Sequence, residues 1–507
     1  MKPIMVQGTS SHVGKSIIVA ALCRVFRNRG FRVAPFKAQN MALNSAVTAD
    51  GREIGRAQAF QAEAAGVEAT SDMNPILLKP TGDSRSQVII NGKVYGSMSA
   101  AQYHGFKKEA KQFVLESFLR LADEYEVIVI EGAGSPAEVN LRDNDIANMG
   151  IAEMCDSPVL LVGDIDRGGV FASLVGTLEL LTPAERDRIK GFIINKFRGD
   201  PGLLKPGLEF LENRTARPVL GVIPYFKDIS LPDEDGVALE PAPKKNGSAA
   251  ALTLAVIKLP RISNFTDFDP FKTEAGVELA FTDEPEGLKG ADAVIIPGTK
   301  NTLEDLNWLR ARGFEKALSD FMEKGGLIIG ICGGFQMLGE EIKDPYGIES
   351  GLQCIKGLSF INATTTLMKE KQTFQVTAEA CFNGVRYNVT GYEIHMGETT
   401  GDFAPFSNIK ERNKAKTDVA DGGVSGNVFG TYIHGIFDND KFRHGLMDLL
   451  KEKKGLEGGA AGTSFASTRK NSLNSMAKIV EENLDMERIL EIAGIEKTLM
   501  SQGFKLE

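Results

Sequence analysis

The stretch MVQGTSSHVGKSI, residues 5–17, places a glycine-rich turn between a short apolar run and a helical pattern. The backbone N–H groups of such a turn, together with the N-terminus of the following helix, bind phosphate groups. The turn ends in Gly14-Lys15-Ser16, where the lysine can reach the outer phosphates and the serine hydroxyl can bind Mg²⁺. Between Gly8 and Gly14 there are five residues, whereas the common phosphate-binding loop has four. We therefore predict a nucleotide site of a variant type, with contacts from Gly8, Thr9, Gly14, Lys15 and Ser16.

Short apolar runs continue outward from this loop, at residues 3–6, 32–36, 127–130, 158–163, 192–195 and 219–223. Most are rich in β-branched residues and none alternates with polar residues, which is typical of buried parallel strands. Helical segments separate them. This alternation predicts a doubly wound α/β sheet in the first half of the chain.

A composition change at residues 240–251, EPAPKKNGSAAA, predicts a linker. The strand and helix pattern restarts after it. We predict a nucleotide-binding domain at 1–240, a linker at 241–250, a second α/β domain at 251–447, and a C-terminal loop and helix at 448–507.

The bulk composition excludes several classes of protein. The 507 residues carry a net charge of −9, which argues against a broad nucleic-acid surface. The five cysteines form no CxxC pair, so neither a disulfide framework nor a zinc site is expected, and a reducing cytoplasm is the expected compartment. The longest apolar stretch near the N-terminus is interrupted by Arg24 and is too short to span a membrane. We expect neither nucleic acid nor a membrane as a partner, and the sequence predicts no oligomeric state.

Two acidic residues are candidates to hold Mg²⁺ together with Ser16. Glu131 ends the run VIVIE, at the carboxyl end of a predicted buried strand, where open α/β sheets present ligand-binding groups. Asp50 is the weaker second candidate. Carboxylate oxygens are suitable ligands for Mg²⁺.

The second half contains a candidate nucleophile in GGLIIGICGGFQMLG, residues 325–339. Cys332 lies at a sharp turn between a predicted strand and a helix, a position that exposes a side chain, and the helix N-terminus favours a thiolate. The backbone N–H of Gly333 is placed to stabilise an oxyanion. The second donor is expected from the glycine turn PGTKNT at 297–302, at Gly298.

A thiolate needs a partner that moves protons, and His434 in FGTYIHGIF is the best placed of the five histidines. It follows a predicted strand. His395, in GYEIHMG, is the runner-up and could instead serve the substrate or the fold.

Each half resembles a known enzyme family. The loop GTSSHVGKS resembles that of dethiobiotin synthetase and its relatives, which use ATP to convert a carboxylate into an acyl phosphate; this resemblance implies that Lys37 is a second phosphate-binding lysine. The second half resembles the triad-type glutamine amidotransferases, in which Cys and His release ammonia from glutamine. Their usual third member is a Glu two residues after the His, where this chain has Ile436. The branch that acts on corrinoids also lacks that Glu.

Nearly the whole chain resembles the cobyric acid synthase family. The motifs that carry the resemblance are KAQNMALNS (37–45), EIGRAQAFQAEAAG (53–66), MNPILLKP (73–80), EGAGSPAEVNL (131–141), DIDRGGVFA (164–172), NKFRGD (195–200), ISNFTDFDPF (262–271) and GYEIHMGET (391–399). The resemblance implies ATP- and glutamine-dependent amidation of the b, d, e and g propionates of adenosylcobyrinic acid a,c-diamide, a step of cobalamin biosynthesis.

Polar residues in these motifs are candidate substrate contacts. Amide and guanidinium groups suit carboxylate and amide edges, and Asp164 and Asp166 could bind Mg²⁺, position ammonia or contact the corrinoid. The full set is Gln39, Asn40, Asn44, Arg56, Asp164 and Asp166.

Two other functions compete with this interpretation. Cobyrinic acid a,c-diamide synthase has the same two-domain plan, although KAQNMALNS and ISNFTDFDPF favour cobyric acid synthase. Partition-type ATPases have related long phosphate-binding loops and act as non-enzymatic switches, but Cys332 and His434 argue against that class.

Overall fold

The computed structural model describes residues 1–82, 85–226, 251–456 and 462–495. The predicted linker at 241–250 lies outside the described residues. Two α/β sheets, each with its own core, account for most of the chain.

Within residues 1–82 and 85–226, the first half forms twelve strands and seven α-helices. They are β1 (Lys2–Gly8), α1 (Lys15–Asn28), β2 (Val33–Phe36), β3 (Gln39–Met41), β4 (Ser45–Val47), β5 (Glu53–Gly55), α2 (Arg56–Ala65), β6 (Ile76–Gly82), β7 (Arg85–Ile90), β8 (Lys93–Ser99), α3 (Ala100–Glu124), β9 (Val127–Glu131), α4 (Met149–Met154), β10 (Val159–Asp164), α5 (Val170–Leu180), α6 (Pro183–Arg188), β11 (Ile189–Phe197), α7 (Pro201–Thr215) and β12 (Val219–Pro224).

The central sheet of this half is parallel and six-stranded, in the order β12-β11-β10-β1-β9-β2. Alternate residues of β1 enter different cores: Ile4 and Val6 pack with α1, while Met5 packs with α3 on the opposite face. Helices therefore cover both faces, and the predicted doubly wound sheet is confirmed. The carboxyl ends of β1, β9 and β10 meet at one edge, which is where such sheets bind ligands.

Two smaller sheets lie beside this one. The order β3-β6-β7-β8 forms a four-stranded sheet, and β4 and β5 form an antiparallel hairpin. We call residues 45–55 the docking hairpin, because it contacts the second half of the chain.

Between residues 251 and 456, the second half forms twelve strands and five α-helices. They are β13 (Leu252–Ile257), α8 (Asp269–Lys272), β14 (Val277–Thr282), β15 (Ala293–Ile296), α9 (Thr302–Ala311), α10 (Phe314–Glu323), β16 (Leu327–Ile331), α11 (Gly333–Leu338), β17 (Glu341–Lys343), β18 (Cys354–Lys356), β19 (Ala363–Phe382), β20 (Val385–Gly401), β21 (Ser407–Arg412), β22 (Ala415–Asp421), β23 (Gly423–Ser425), β24 (Val428–Thr431) and α12 (Asp440–Lys453).

The main sheet of this half has the order β14-β13-β15-β16-β24-β23, and only the β23–β24 pair is antiparallel. A second sheet is built around the long antiparallel pair β19 and β20. The adjacent parallel strands β16 and β24 end immediately before Cys332 and shortly before His434. Neighbouring strand ends therefore bring these two residues together.

The C-terminal segment returns to the first half of the molecule. Helices α13 (Phe465–Asn483) and α14 (Met486–Ile492) pack on α1 and on the edge strand β12. Leu473, Met476 and Ile489 are buried in the same core as Ile18 and Leu22. The core of the N-terminal sheet is thus assembled from both ends of the chain.

In the part of the chain that the structure describes, every helix is too short or too polar to cross a membrane.

We expect the buried guanidinium of Arg443, on α12, to be a large stabilising element of the second domain. It is fully buried and donates hydrogen bonds to Glu274 at 2.8 Å, to Asp440 at 2.8 Å and to the carbonyl of Phe437 at 2.7 Å. Arg443→Ala removes the buried cation from beside the buried carboxylate of Glu274, which then keeps only its contact with His444 at 3.1 Å. The substitution should therefore lower the free energy of unfolding of this domain by about 3–5 kcal/mol in urea denaturation.

The matched control is Arg386→Ala. Arg386 is 76% exposed and forms a 3.4 Å ion pair with Glu379, and an exposed pair of this kind contributes about 0–1 kcal/mol. Equal effects of the two substitutions would contradict the assigned role of Arg443.

Candidate active sites

The loop between β1 and α1 has the geometry that its sequence predicts. Gly14 caps the start of α1 with φ of 99°, and a Cβ at this position would lie 2.3 Å from the side-chain amide of Asn195, so only glycine fits. The Lys15 ammonium lies within the loop and donates hydrogen bonds to the carbonyls of Ser10, at 2.9 Å, and Gly134, at 3.0 Å. Thr9 continues the strand pairing by donating its N–H to Val162 at 3.0 Å.

Glu131 is the centre of the buried polar contacts beside this loop. Its Oε1 accepts hydrogen bonds from Ser16 Oγ at 2.8 Å and from Lys37 Nζ at 2.7 Å. Its Oε2 accepts from the side-chain amides of Gln61 at 2.5 Å and Gln58 at 3.4 Å. The structure therefore brings together Ser16, Lys37 and Glu131, three of the residues predicted from sequence.

Sequence reasoning did not identify the two glutamines. Both lie in the motif EIGRAQAFQAEAAG, three residues apart, which is the spacing that places side chains on one face of helix α2. That spacing was the available signal.

A cavity of about 760 Å³ opens beside this cluster. The first domain contributes Lys15, Lys37 and Glu131 to its wall, while the second contributes apolar groups from Ile262 and Phe265. Basic side chains of the second domain, Lys258 and Arg312, also line it. The candidate nucleotide site thus faces a space that both domains enclose.

Asn40 and Asn44 line the same cavity, and both are buried. Gln39 lies in the same motif and accepts a hydrogen bond from the Tyr103 hydroxyl at 2.7 Å. Asp164 and Asp166 lie at the end of β10 near the loop. Asp164 pairs at 2.8 Å with Lys196, whose ammonium also donates to the carbonyl of His12, and Asp166 pairs with Arg198 at 2.9 Å.

The structure places two predicted residues away from the nucleotide cavity. Asp50 is at the tip of the docking hairpin, where its carboxylate accepts hydrogen bonds from Thr48 and Arg52 and is 64% exposed. It is not brought together with Ser16 and Glu131, because the hairpin turns away from the sheet edge. Arg56 lies over the ring of Tyr392 in the second domain, 5.9 Å from its centroid.

Cys332 lies at a strained turn between β16 and α11. Its φ of 51° and ψ of −106° are unusual for a residue other than glycine, and such strain is typical of a nucleophile held at a strand-to-helix turn. The small residues that follow allow this close packing, since a Cβ at Gly334 would lie 1.9 Å from the carbonyl oxygen of Ile296.

His434 lines the same small cavity as Cys332, and its ring is hydrogen-bonded to Asp267. The distance from His434 Nδ1 to Asp267 Oδ2 is 2.6 Å, and Asp267 Oδ1 accepts the backbone N–H of Gly435 at 3.1 Å. Both side chains are almost completely buried. Cys332, His434 and Asp267 therefore lie together in the arrangement that a nucleophile, a base and an orienting carboxylate require.

Asp267 fills the role for which the sequence offered no candidate. Ile436, at the position of the usual Glu, is buried in the core. Asp267 lies in the motif ISNFTDFDPF, 167 positions before His434. The motif was apparent in the sequence, but no local spacing connects it with the histidine.

The electrostatic environment keeps His434 protonated. Burial alone would lower the pKa of His434, but the charge and hydrogen bond of Asp267, with a smaller contribution from Cys332, raise this pKa to about 10. The arrangement stabilises an imidazolium ion beside the sulfur atom.

The predicted oxyanion donors lie next to these residues. Gly333 begins α11, and a Cβ at Gly333 would lie 3.2 Å from the backbone nitrogen of Thr299, so the turn at 297–302 packs directly against it. A Cβ at Gly298 would lie 3.1 Å from His434 Cε1. His395, the alternative histidine, stacks on the ring of Tyr432 at 3.8 Å and bonds through Nδ1 to the carbonyl of Gly397. It lines the cavity beside Cys332.

The docking hairpin connects the two sites. Ser45 donates its backbone N–H to Asn264 at 2.8 Å, and its carbonyl accepts the hydroxyl of Tyr392 at 3.1 Å. Tyr392 in turn stacks on His434 and exchanges two backbone hydrogen bonds with it. The first domain therefore supports the position of the histidine.

Buried charges reinforce this contact. Glu53 of the hairpin bonds to Lys79 at 2.9 Å and to Lys371 of β19 at 2.5 Å. Burial would raise the pKa of Glu53, but Lys371 and Lys79 lower it well below its usual value, so the carboxylate stays charged.

Two family models match the chain. Residues 4–239 match the CobQ/CobB/MinD/ParA nucleotide binding domain, and residues 253–442 match the CobB/CobQ-like glutamine amidotransferase domain. The chain is 51% identical over 500 residues to a cobyric acid synthase of Clostridium botulinum (strain ATCC 19397 / Type A), with 98% of this chain and 100% of that protein covered. It is 50% identical to a cobyric acid synthase of Thermoanaerobacter sp. (strain X514), with 96% and 98% covered.

We expect Asp267→Asn to lower the pKa of His434. Removing the negative charge of Asp267 should shift the pKa of His434 down by roughly 1–3 units. Burial disfavours the imidazolium ion, and in the variant no carboxylate offsets that effect. The measurement is an NMR titration of protein labelled with ¹³C at the histidine Cε1, with the His434 resonance assigned from a His434→Gln spectrum. In the wild type this resonance should titrate only near pH 10.

The direction of the His434 pKa shift also determines the pH range in which the Asp267–His434 pair stabilises the folded protein. Because the folded pKa lies above the unfolded value of about 6.5, the pair contributes its full stability below pH 6.5 and loses it as the pH rises through 10. An unchanged midpoint in Asp267→Asn would show that another group holds the proton on His434.

Proposed function

The chain belongs to the cobyric acid synthase family, and we propose that its two sites together amidate the b, d, e and g carboxylates of (adenosyl)cobyrinic acid a,c-diamide. ATP activates each carboxylate, and glutamine supplies the nitrogen. The first domain is the synthetase and the second is the glutaminase. The protein is thus a ligase that forms C–N bonds with glutamine as the amido donor.

In the synthetase site, a substrate carboxylate attacks the γ-phosphorus of ATP, and ADP leaves. The acyl phosphate that forms carries a leaving group that ammonia can displace. Lys15 and Lys37 are placed to neutralise the phosphate oxygens, and the backbone of the loop from Gly8 to Gly14 binds the remaining phosphates. Asn40 and Asn44 offer amide groups to the propionate side chains in the same cavity.

The residues beside the loop also suit Mg²⁺. Ser16 Oγ and Glu131 Oε1 are hard oxygen donors that lie 2.8 Å apart, and Mg²⁺ is commonly held by one or two such protein oxygens together with phosphate. These two residues would hold the ion, which when bound neutralises phosphate charge. Asp50 is left out of this proposal because of its position on the hairpin.

In the glutaminase site, the sulfur of Cys332 attacks the amide carbon of glutamine. His434 transfers a proton to the departing nitrogen, and ammonia leaves behind a thioester. Water, activated by the same histidine, releases glutamate. Asp267 keeps the His434 ring oriented throughout, and the N–H of Gly333 with a donor from the turn at 297–302 is placed to stabilise the oxyanion.

The observation that carries the proposal is the wall between the two cavities. Residues 262–265 form it: Ile262 and Phe265 line the nucleotide cavity, while Ser263 and Asn264 line the cavity beside Cys332. Ammonia released at one site is therefore separated from the other by one layer of residues. This juxtaposition supports a reaction in which glutaminase and synthetase steps are coupled.

The two competing functions are not favoured. The relatives named above are cobyric acid synthases rather than a,c-diamide synthases, and the amidotransferase domain distinguishes the chain from a partition-type switch. Four amidations of the diamide, counted by mass spectrometry of the product, test the assignment. Completion at two amides on cobyrinic acid would overturn it.

The two halves of the reaction should be separable by mutation. Cys332→Ala should abolish amidation with glutamine and leave amidation with high ammonium salt largely intact, because the synthetase needs only ammonia. Lys15→Ala should abolish both, since no acyl phosphate forms. The measurement is the rate of product formation with each nitrogen source. Loss of both activities in a folded Cys332→Ala protein would exclude the glutaminase role.

Asp267→Asn should reduce glutamine-dependent amidation by about 10²–10⁴-fold, because it removes the group that orients the general acid and base. Amidation with ammonium should remain. The control is Asp418→Asn, which alters an exposed carboxylate on β22 of the same domain. A glutamine-dependent rate in Asp267→Asn close to that of the control would remove Asp267 from the mechanism.

A further inference from the structure

The side chain of Arg56 reaches from the first domain to the second. Arg56 begins α2, directly after the docking hairpin, and its guanidinium carbon lies over the ring of Tyr392, 5.9 Å from the ring centroid. In the described ranges, Asn40 and Asn44 line the nucleotide cavity but Arg56 does not. Arg56 therefore belongs to the contact between the domains, although the sequence predicts that it contacts the substrate.

Tyr392 carries this contact to the catalytic histidine. Its ring stacks on the imidazole of His434, with the centroids 5.2 Å apart and the planes inclined by 18°. The backbones of the two residues exchange hydrogen bonds of 3.1 Å and 2.9 Å. A cation over the face of an aromatic ring is attracted to it. Arg56 thus helps to fix the surface against which the imidazole packs.

Acidic groups of the second domain surround the guanidinium. Burial alone would lower the pKa of Arg56, but these groups raise the pKa, so the guanidinium stays charged. They are Tyr392, Asp438, Asp267 and Asp269. The four come from separate stretches of the second domain, whereas the cation comes from the first.

Two of the three carboxylates depend on a cation from outside the second domain. Asp269 is paired with Lys272 at 2.8 Å. One oxygen of Asp438 is buried and, within the described residues, accepts no hydrogen bond. Burial raises the pKa of Asp438 to about 6, against the attraction of Arg56 and then of Arg469. Carboxylates that lie close together disfavour each other's ionisation, and a nearby cation offsets that effect.

We propose that Arg56 is a positioning residue of the glutaminase site, supplied by the synthetase domain, which holds Tyr392 against His434 and offsets the negative charge around Asp267. The inference rests on the glutaminase function given above. In the part of the chain that the structure describes, Arg56 does not line the cavity beside Cys332. It acts on the reaction through Tyr392 and Asp267, both of which contact His434.

Arg56→Met tests the role of the charge, because methionine retains an unbranched apolar stem. The kcat of glutamine-dependent amidation should fall by roughly 3- to 30-fold, the range expected for loss of a cation–π contact. The KM for glutamine should change little, since the cavity beside Cys332 keeps its lining. The rate with high ammonium salt should also be retained. The measurements are kcat and KM for glutamine, and the ammonium-dependent rate.

Two further substitutions separate charge from folding. Arg56→Lys retains a cation and should recover most of the lost kcat. The control is Arg214→Met on α7 of the same domain, where the arginine side chain is 56% exposed, and both of its rates should equal those of the wild type. If Arg56→Lys is impaired as strongly as Arg56→Met, the charge does not position the site and the proposal is wrong.

A double variant tests whether Arg56 acts through Asp267. Arg56→Met should cost less glutamine-dependent activity in the Asp267→Asn background than in the wild type, because the negative charge of Asp267 that Arg56 offsets is already absent. Residues that act independently give equal fold losses in the two backgrounds. Equal losses would therefore contradict the proposal.

The rate with ammonium separates failure of this inference from failure of the proposed function. If Arg56→Met lowers the ammonium- and glutamine-dependent rates equally, Arg56 serves the synthetase or the fold, and the inference is overturned while the glutaminase function stands. Wild-type rates in Arg56→Met would overturn it as well. If wild-type protein amidates with neither nitrogen source, the proposed function itself fails.

Discussion

The buried carboxylate of Glu53 fixes the two domains relative to each other. It comes from the docking hairpin of the first domain and bonds to lysines of both domains, Lys79 and Lys371. A charge buried this deeply is tolerated only where its partners are in place, and removing one partner of such a cluster typically costs about 3–5 kcal/mol. The relative position of the domains is therefore set by charge pairing as well as by packing.

The geometry of the glutaminase site depends on this contact. Ser45 of the same hairpin bonds to Asn264, three residues before Asp267, and to Tyr392, which pairs with His434. Both Asp267 and His434 are thus supported by residues that contact the synthetase domain. The residues of the glutaminase site lie in the second domain, but contacts with the first domain hold them in position.

Much of the architecture could be predicted from sequence because the signals are local. The strand–loop–helix context of Lys15 and Ser16 and the strand-to-helix turn at Cys332 each occupy a short stretch with a definite periodicity. Glu131 could be placed at the ligand-binding edge because it ends a buried strand. The site residues themselves remain predictions, but the structure gathers most of them at two points.

The features of the sites that could not be predicted from sequence depend on contacts between distant segments of the chain. Asp267 meets His434 only because the chain folds back across 167 positions, and Asp50 leaves the nucleotide site only because the docking hairpin turns outward. No periodicity or spacing encodes these facts.

The return of α13 and α14 to the first domain has a consequence for how the protein is made. The apolar face of α1, including Ile18 and Leu22, is completed by residues such as Met476 and Ile489, which are synthesised after the second domain. The first domain to be synthesised is completed after the second, and the apolar face of α1 stays uncovered while residues 251–447 are translated. Folding of the nascent chain is therefore nested: the later domain can close its core first, and the earlier one closes only after α13 and α14 have been translated.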